Sequence, residues 1–91
     1  MELEIVSPEA LLFSGEVESV TVPGNSGSFQ ILNNHAPIVS TLAAGQVKIQ
    51  GSISLNEAHQ SKFMQDGNMT YLDIQSGAVE LSGNKVILLT E

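Results

Sequence analysis

Apolar and polar residues alternate with a period of two along most of the chain, in short runs separated by glycine, proline and asparagine. That is the mark of half-buried antiparallel strands. Leu3 and Ile5 share one face while Glu2 and Glu4 share the other. Ser7-Pro8 ends this first run, because proline has no N–H to donate to a ladder. Leu11 to Val22 reads as a second, longer strand with a change of parity: Leu11, Phe13 and Val17 fall on one face, Val20 and Val22 on the other. A strand with one core face cannot change parity without an extra residue, so a bulge or sharp bend is expected near Glu18-Ser19.

Pro23-Gly24-Asn25-Ser26-Gly27 predicts a tight turn, after which Phe29 and Ile31 alternate with Ser28 and Gln30. Asn33-Asn34 predicts another, since asparagine tolerates left-handed backbone. Further strands are expected at Val47–Ile49, Thr70–Ile74 and Val79–Leu81, with a turn at Ser82-Gly83-Asn84. Val86-Ile87-Leu88-Leu89 is apolar without alternation, which predicts a last strand covered on both faces. From Ser52 to Asn68 the alternation fades. Asn56-Glu57-Ala58-His59-Gln60 has the composition to cap a single helical turn, and an extended hairpin fits equally well. Together these runs predict one all-β domain over residues 1–91, a sandwich or barrel of about eight to ten strands.

Charge narrows the possible partners. Ten acidic residues stand against Lys48, Lys62 and Lys85, with no arginine and a net charge of −7. Binding to nucleic acid by counterion release needs clustered basic side chains, and anionic lipid repels such a chain. Neither a nucleic-acid partner nor direct membrane insertion is expected. No apolar run approaches the roughly 20 residues of a membrane helix, and the N-terminus lacks the regions of a signal peptide. A basic or dipolar protein partner fits the charge, as does solubility alone. The absence of cysteine suits a reducing compartment better than a secreted one.

Catalytic chemistry has little to draw on. His35 lies in a turn and His59 in the irregular stretch, and neither belongs to a nucleophile motif such as G-x-S-x-G or to a zinc-ligand spacing. Glu16 and Glu18 would share a face of a regular strand, the spacing of a glycosidase-like carboxylate pair, but a solvent-facing strand reads the same way and the expected bend splits them. Gly24–Gly27 lacks the lysine and following helix of a phosphate loop. No catalytic residue, metal site, cofactor or small-molecule substrate is therefore expected. Asn34-His35-Ala36-Pro37-Ile38-Val39 is either a rigid contact surface or a plain bend that leads Ile38 into the core.

Several segments follow one another over nearly the whole chain: Leu12-Phe13-Ser14-Gly15-Glu16-Val17-Glu18-Ser19-Val20, the Gly-x-x-Gly turn at Gly24–Gly27, His35-Ala36-Pro37, Gly77-Ala78-Val79-Glu80, and Asn84-Lys85-Val86-Ile87-Leu88-Leu89-Thr90. In this order they resemble the epsilon subunit of bacterial ATP synthases, called delta in mitochondria. The resemblance implies a roughly ten-stranded antiparallel β-sandwich in the central stalk of the rotor, at the cytoplasmic face of the bacterial inner membrane. The sandwich would bind the gamma subunit and rest on the c-ring, helping to couple proton flow to ATP synthesis without doing chemistry. It also implies a ring-facing loop, which carries over to Ser28, Asn34, His35, Ala36 and Pro37, with Ser28 standing where relatives often have an acid.

Two departures accompany the resemblance. The C-terminal helical hairpin of most relatives, which inhibits the enzyme and in some binds ATP, is absent from a sequence ending at Thr90-Glu91, and the stretch from Gly51 to Asn68 is longer than the usual connection. Two other classes compete. One is a free-standing ligand-binding sandwich, for carbohydrate, although the chain has no tryptophan and only Tyr71 and three phenylalanines as aromatic platforms. The other is a small hydrolase using Glu16 and Glu18.

Overall fold

A computed structural model describes residues 1–91. The alternating runs form ten strands: β1 (Glu2–Val6), β2 (Leu11–Glu16), β3 (Ser19–Gly24), β4 (Gly27–Ile31), β5 (Ile38–Leu42), β6 (Gly45–Gln50), β7 (Phe63–Asp66), β8 (Met69–Ile74), β9 (Gly77–Ser82) and β10 (Lys85–Thr90). They make one continuous sheet in the order β2-β1-β10-β9-β5-β3-β6-β8-β7, with β4 on the other side of β3. Between β5 and β3 the sheet is joined by a single residue pair, Leu42 with Gly24. It curls there into two packed layers: β2, β1, β10, β9 and β5 form the first, and β4, β3, β6, β8 and β7 the second.

Alternation decides what fills the space between the layers. Leu3, Ile5, Val79, Leu81, Val86 and Leu88 come from the first layer, and Val20, Val22, Ile31, Val47, Ile49, Leu72 and Ile74 from the second; all are buried. The expected bend lies between Val17 and Glu18. The Val17 N–H donates to the Met1 carbonyl at 2.9 Å, within the first layer, while the Glu18 N–H donates to the Gln50 carbonyl at 2.8 Å, within the second. The chain changes layers here, and this accounts for the switch between Val17 and Val20. Leu11, expected on the same face as Phe13, is turned outward instead. The register breaks in β2, where Leu12 is the extra residue between the Leu11–Val6 and Phe13–Ile5 pairs, so Leu12 and Phe13 are both buried while Leu11 is exposed.

The expected ten-stranded sandwich forms, antiparallel throughout except for one pair: β1 and β10 run parallel from Glu2↔Lys85 to Val6↔Leu89. Parallel neighbours need a long connection, and here nearly the whole chain supplies it. One expectation about β10 is corrected: the Val86–Leu89 run is not covered on both faces. Val86 and Leu88 are fully buried, but Ile87 is half-buried and Leu89 is 50% exposed. β10 is central in its layer, yet a two-layer fold has nothing to place over the outer face. Missing alternation here marks an outer face that is apolar as well.

The irregular stretch is tethered rather than loose. The Gly51 N–H donates to the Asn68 carbonyl at 2.8 Å and closes its base. Ile53 and Leu55 pack against the core from outside the ladder. Asn56 Oδ1 accepts the Ala58 N–H at 2.8 Å, and a 3-10 turn follows at Gln60–Lys62, overlapping the expected helical segment only at Gln60. β7 then returns to β8 through a two-residue turn led by Gly67 at φ 63, the type II′ geometry in which glycine takes the first central place.

Candidate partner-binding surfaces

The loop after β4 is built to hold one shape. The His35 N–H donates to the Leu32 carbonyl at 3.2 Å, closing a turn around Asn33-Asn34. Asn34 takes φ 66 at the third position, where a type II turn needs glycine or asparagine. His35 Nδ1–H donates to the Ala36 carbonyl at 2.7 Å, fixing the ring over its own loop. Ala36 and Pro37 are exposed, and Pro37 fixes the backbone that enters β5. Asn34, His35, Ala36 and Pro37 thus form one cluster. Ser28 lies elsewhere: it is exposed near the opposite end of β4, paired with Pro23 beside the Asn25-Ser26 turn. The three steps from Ser28 to Ile31 alone span about 10 Å of strand.

A second surface emerges only from strand order. On the outer face of the first layer, register brings Leu11, Val6, Leu89 and Ala78 into one row across β2, β1, β10 and β9. The next row holds Ser14, Glu4, Ile87, Glu80 and Val39. Leu11 and Leu89 are about half exposed and Val39 is 80% exposed. Val6, Pro8, Ala78 and Leu89 also line a groove of about 530 Å³ at the end of this face. The apolar row is bordered by carboxylates, and the two local cations are both engaged: Lys85 by Glu4 at 3.2 Å and the Met1 amino group by Glu16 at 3.4 Å. No local sequence signal marks this surface, because Leu11 and Leu89 come from opposite ends of the chain.

The candidate chemical residues do not converge. Glu16 sits on the first layer, 3.4 Å from the Met1 amino group, while Glu18 lies beyond the bend with its backbone tied to the second layer. His35 and His59 occupy separate loops, and no three His, Asp or Glu side chains are grouped to hold a metal ion. Phe13 is buried, and Phe29, Phe63 and Tyr71 are half-buried, so no aromatic ring stands out as a sugar platform.

Residues 1–91 match the family described as "ATP synthase, Delta/Epsilon chain, beta-sandwich domain". The chain belongs to this family. Its members are non-catalytic subunits of ATP synthase. This delta/epsilon-type chain is 43% identical over 90 residues to the ATP synthase epsilon chain of Chlorobium limicola, covering 99% of itself and 88% of that relative. It is 35% identical over 91 residues to the epsilon chain of Leptospira interrogans, of which it covers 61%. Among solved structures it is similar to a chain in the central stalk/c-ring of the Tetrahymena thermophila mitochondrial ATP synthase. There the TM-score is 0.75 at 16% identity, over 98% of this chain and 61% of that one. A chain of the Euglena gracilis mitochondrial ATP synthase gives 0.72 at 19% identity, over 97% of this chain and 48% of that one. At these identities the likeness establishes the epsilon-type sandwich as a fold.

Proposed function

We propose that this epsilon-family chain is a central-stalk subunit of the rotor in a proton-translocating ATP synthase, at the cytoplasmic face of a bacterial inner membrane. It docks on the gamma subunit through the outer face of its first layer, and it meets the c-ring through Ser28 and the Asn34–Pro37 loop. Within the complex it couples proton flow to ATP synthesis by mechanical connection.

The observation that carries this reading is the apolar row of Leu11, Val6, Leu89 and Ala78, with Val39 beside it. Large apolar side chains clustered on an otherwise acidic chain mark a surface that another protein covers. The carboxylates around it, Glu2, Glu4, Glu16 and Glu80, favour a partner with basic residues at the rim. A part that transmits torque also needs stiff contacts. The turn at Asn34, the bond from His35 to Ala36 and the Pro37 entry to β5 lower the entropy lost when the loop is ordered on a partner.

Mixing the chain with recombinant gamma subunit at micromolar concentration tests the reading. Gel filtration should give a stable heterodimer, with a standard interface of about 1,200–2,000 Å². Two separate monomer peaks would remove its main support, and retention of the lone chain on a glycan resin would favour the ligand-binding alternative.

A further inference from the structure

The sandwich has open edges, and they are not equally protected. An edge strand offers unpaired N–H and C=O groups to any other chain, and folded proteins guard such edges with charge, proline or a bulge. β2 carries Glu16 and a register break opposite Val6. β7 carries Asp66 and follows Lys62. β5 is partly closed by the Leu42–Gly24 pair and by the Asn25 amide bonded to the Thr41 hydroxyl. β4, which reads Gly27-Ser28-Phe29-Gln30-Ile31, has none of these guards.

Its free backbone groups follow from the register with β3. Opposed residues in an antiparallel pair alternate between bonded and non-bonded. Pro23 has no N–H, so its pair with Ser28 is a non-bonded one, and Thr21 with Gln30 is the next. Ser28 and Gln30 therefore turn their N–H and C=O groups away from β3, toward the open side. Both are exposed.

We infer that this edge pairs with the same edge of a second copy of the chain. Two β4 strands meeting antiparallel about Phe29 place Ser28 of one copy opposite Gln30 of the other, twice, by two-fold symmetry. In that register the outward donors face outward acceptors, giving self-complementary pairing. Charge selects this contact over others. The chain carries −7, yet no Asp, Glu, Lys or Arg occurs between Glu18 and Lys48, a span that includes β3, β4 and β5. Two copies approaching through β4 bring the uncharged part of each molecule together, whereas the first layer's outer face would oppose carboxylates to carboxylates. The pairing itself needs no ATP synthase. One consequence rests on the proposed function: Ser28 belongs to both the ring contact and this edge, so self-pairing and ring contact exclude one another.

The test is a dilution series of the isotope-labelled chain, followed by amide chemical shifts and by diffusion, from about 20 µM to about 1 mM, which spans weak association. Diffusion should slow toward that of a dimer at the upper end, with the largest amide shifts at residues 27–31. Ser28→Lys and Gln30→Pro, each checked for native circular dichroism, should remain monomeric throughout; if the proline variant misfolds, the lysine variant alone decides. No concentration dependence would overturn the inference. So would shifts centred on Leu11 and Leu89, or a folded Ser28→Lys variant that associates like the parent. None of these results bears on the gamma complex, which is measured separately.

Discussion

Replacing Leu11 and Leu89 with serine together should weaken gamma binding about thirtyfold while leaving a folded sandwich. The two side chains are 52% and 50% exposed. Fully burying a leucine is worth about 1.5–3 kcal/mol, so covering the exposed half of each contributes about 1 kcal/mol to docking. They are separated by β1, at about 4.8 Å per strand, which puts them far enough apart for the effects to add. About 2 kcal/mol corresponds to roughly thirtyfold in Kd. The buried halves also contribute to folding, so the double variant should melt lower, by about 4–8 °C for each 1 kcal/mol lost. Titration calorimetry with gamma, at a temperature where circular dichroism shows both forms folded, gives the ratio. Met64→Ser is the control, since Met64 is 67% exposed on the outer face of the opposite layer, beside Tyr71. A Kd unchanged by the double substitution, or an equal loss from Met64→Ser, would refute the assignment of the docking face.

Gly77→Ala should destabilise the fold by about 1–3 kcal/mol in urea denaturation, because a Cβ there would collide with the Leu89 carbonyl oxygen, backbone that cannot swing aside. Gly83→Ala meets open space and should cost less, through its φ of 63 alone. Leu88→Ala should cost about 2–5 kcal/mol, since Leu88 is fully buried. Leu89→Ala, one residue on in the same strand, should cost about 1 kcal/mol; equal losses at the two positions would contradict a β10 that buries only one face.

Much of this fold is legible because period-two alternation needs no knowledge of what lies across the core. Leu3 and Ile5, Val47 and Ile49, and Leu72 and Ile74 all point inward as their spacing requires. The parity change before Val20 locates the crossing between layers, since the two runs use different faces. The outward side of β10 was not legible. An apolar residue reads alike whether it faces a core or a missing partner, so Leu89 looks like Leu88 until the layers are counted. Strand order was hidden too, because the parallel pairing of β1 and β10 joins the ends of the chain. Without it Leu11, Val6 and Leu89 are not neighbours. Within the loop, Asn34 and Pro37 announce a rigid turn, but the length of β4 keeps Ser28 away from them, which proximity in sequence conceals.

Site-directed cross-linking in an assembled ATP synthase tests the rotor placement most directly. The chain has no cysteine, so Ser28→Cys or His35→Cys each provides a single attachment point. Glu57→Cys, exposed in the stretch between β6 and β7, serves as the control. With a cysteine in the polar loop of the c subunit, the Ser28 and His35 variants should cross-link to the ring and the Glu57 variant much less. Equal cross-linking from all three positions, or none from Ser28 and His35, would contradict the placement of β4 and the loop that follows it against the ring.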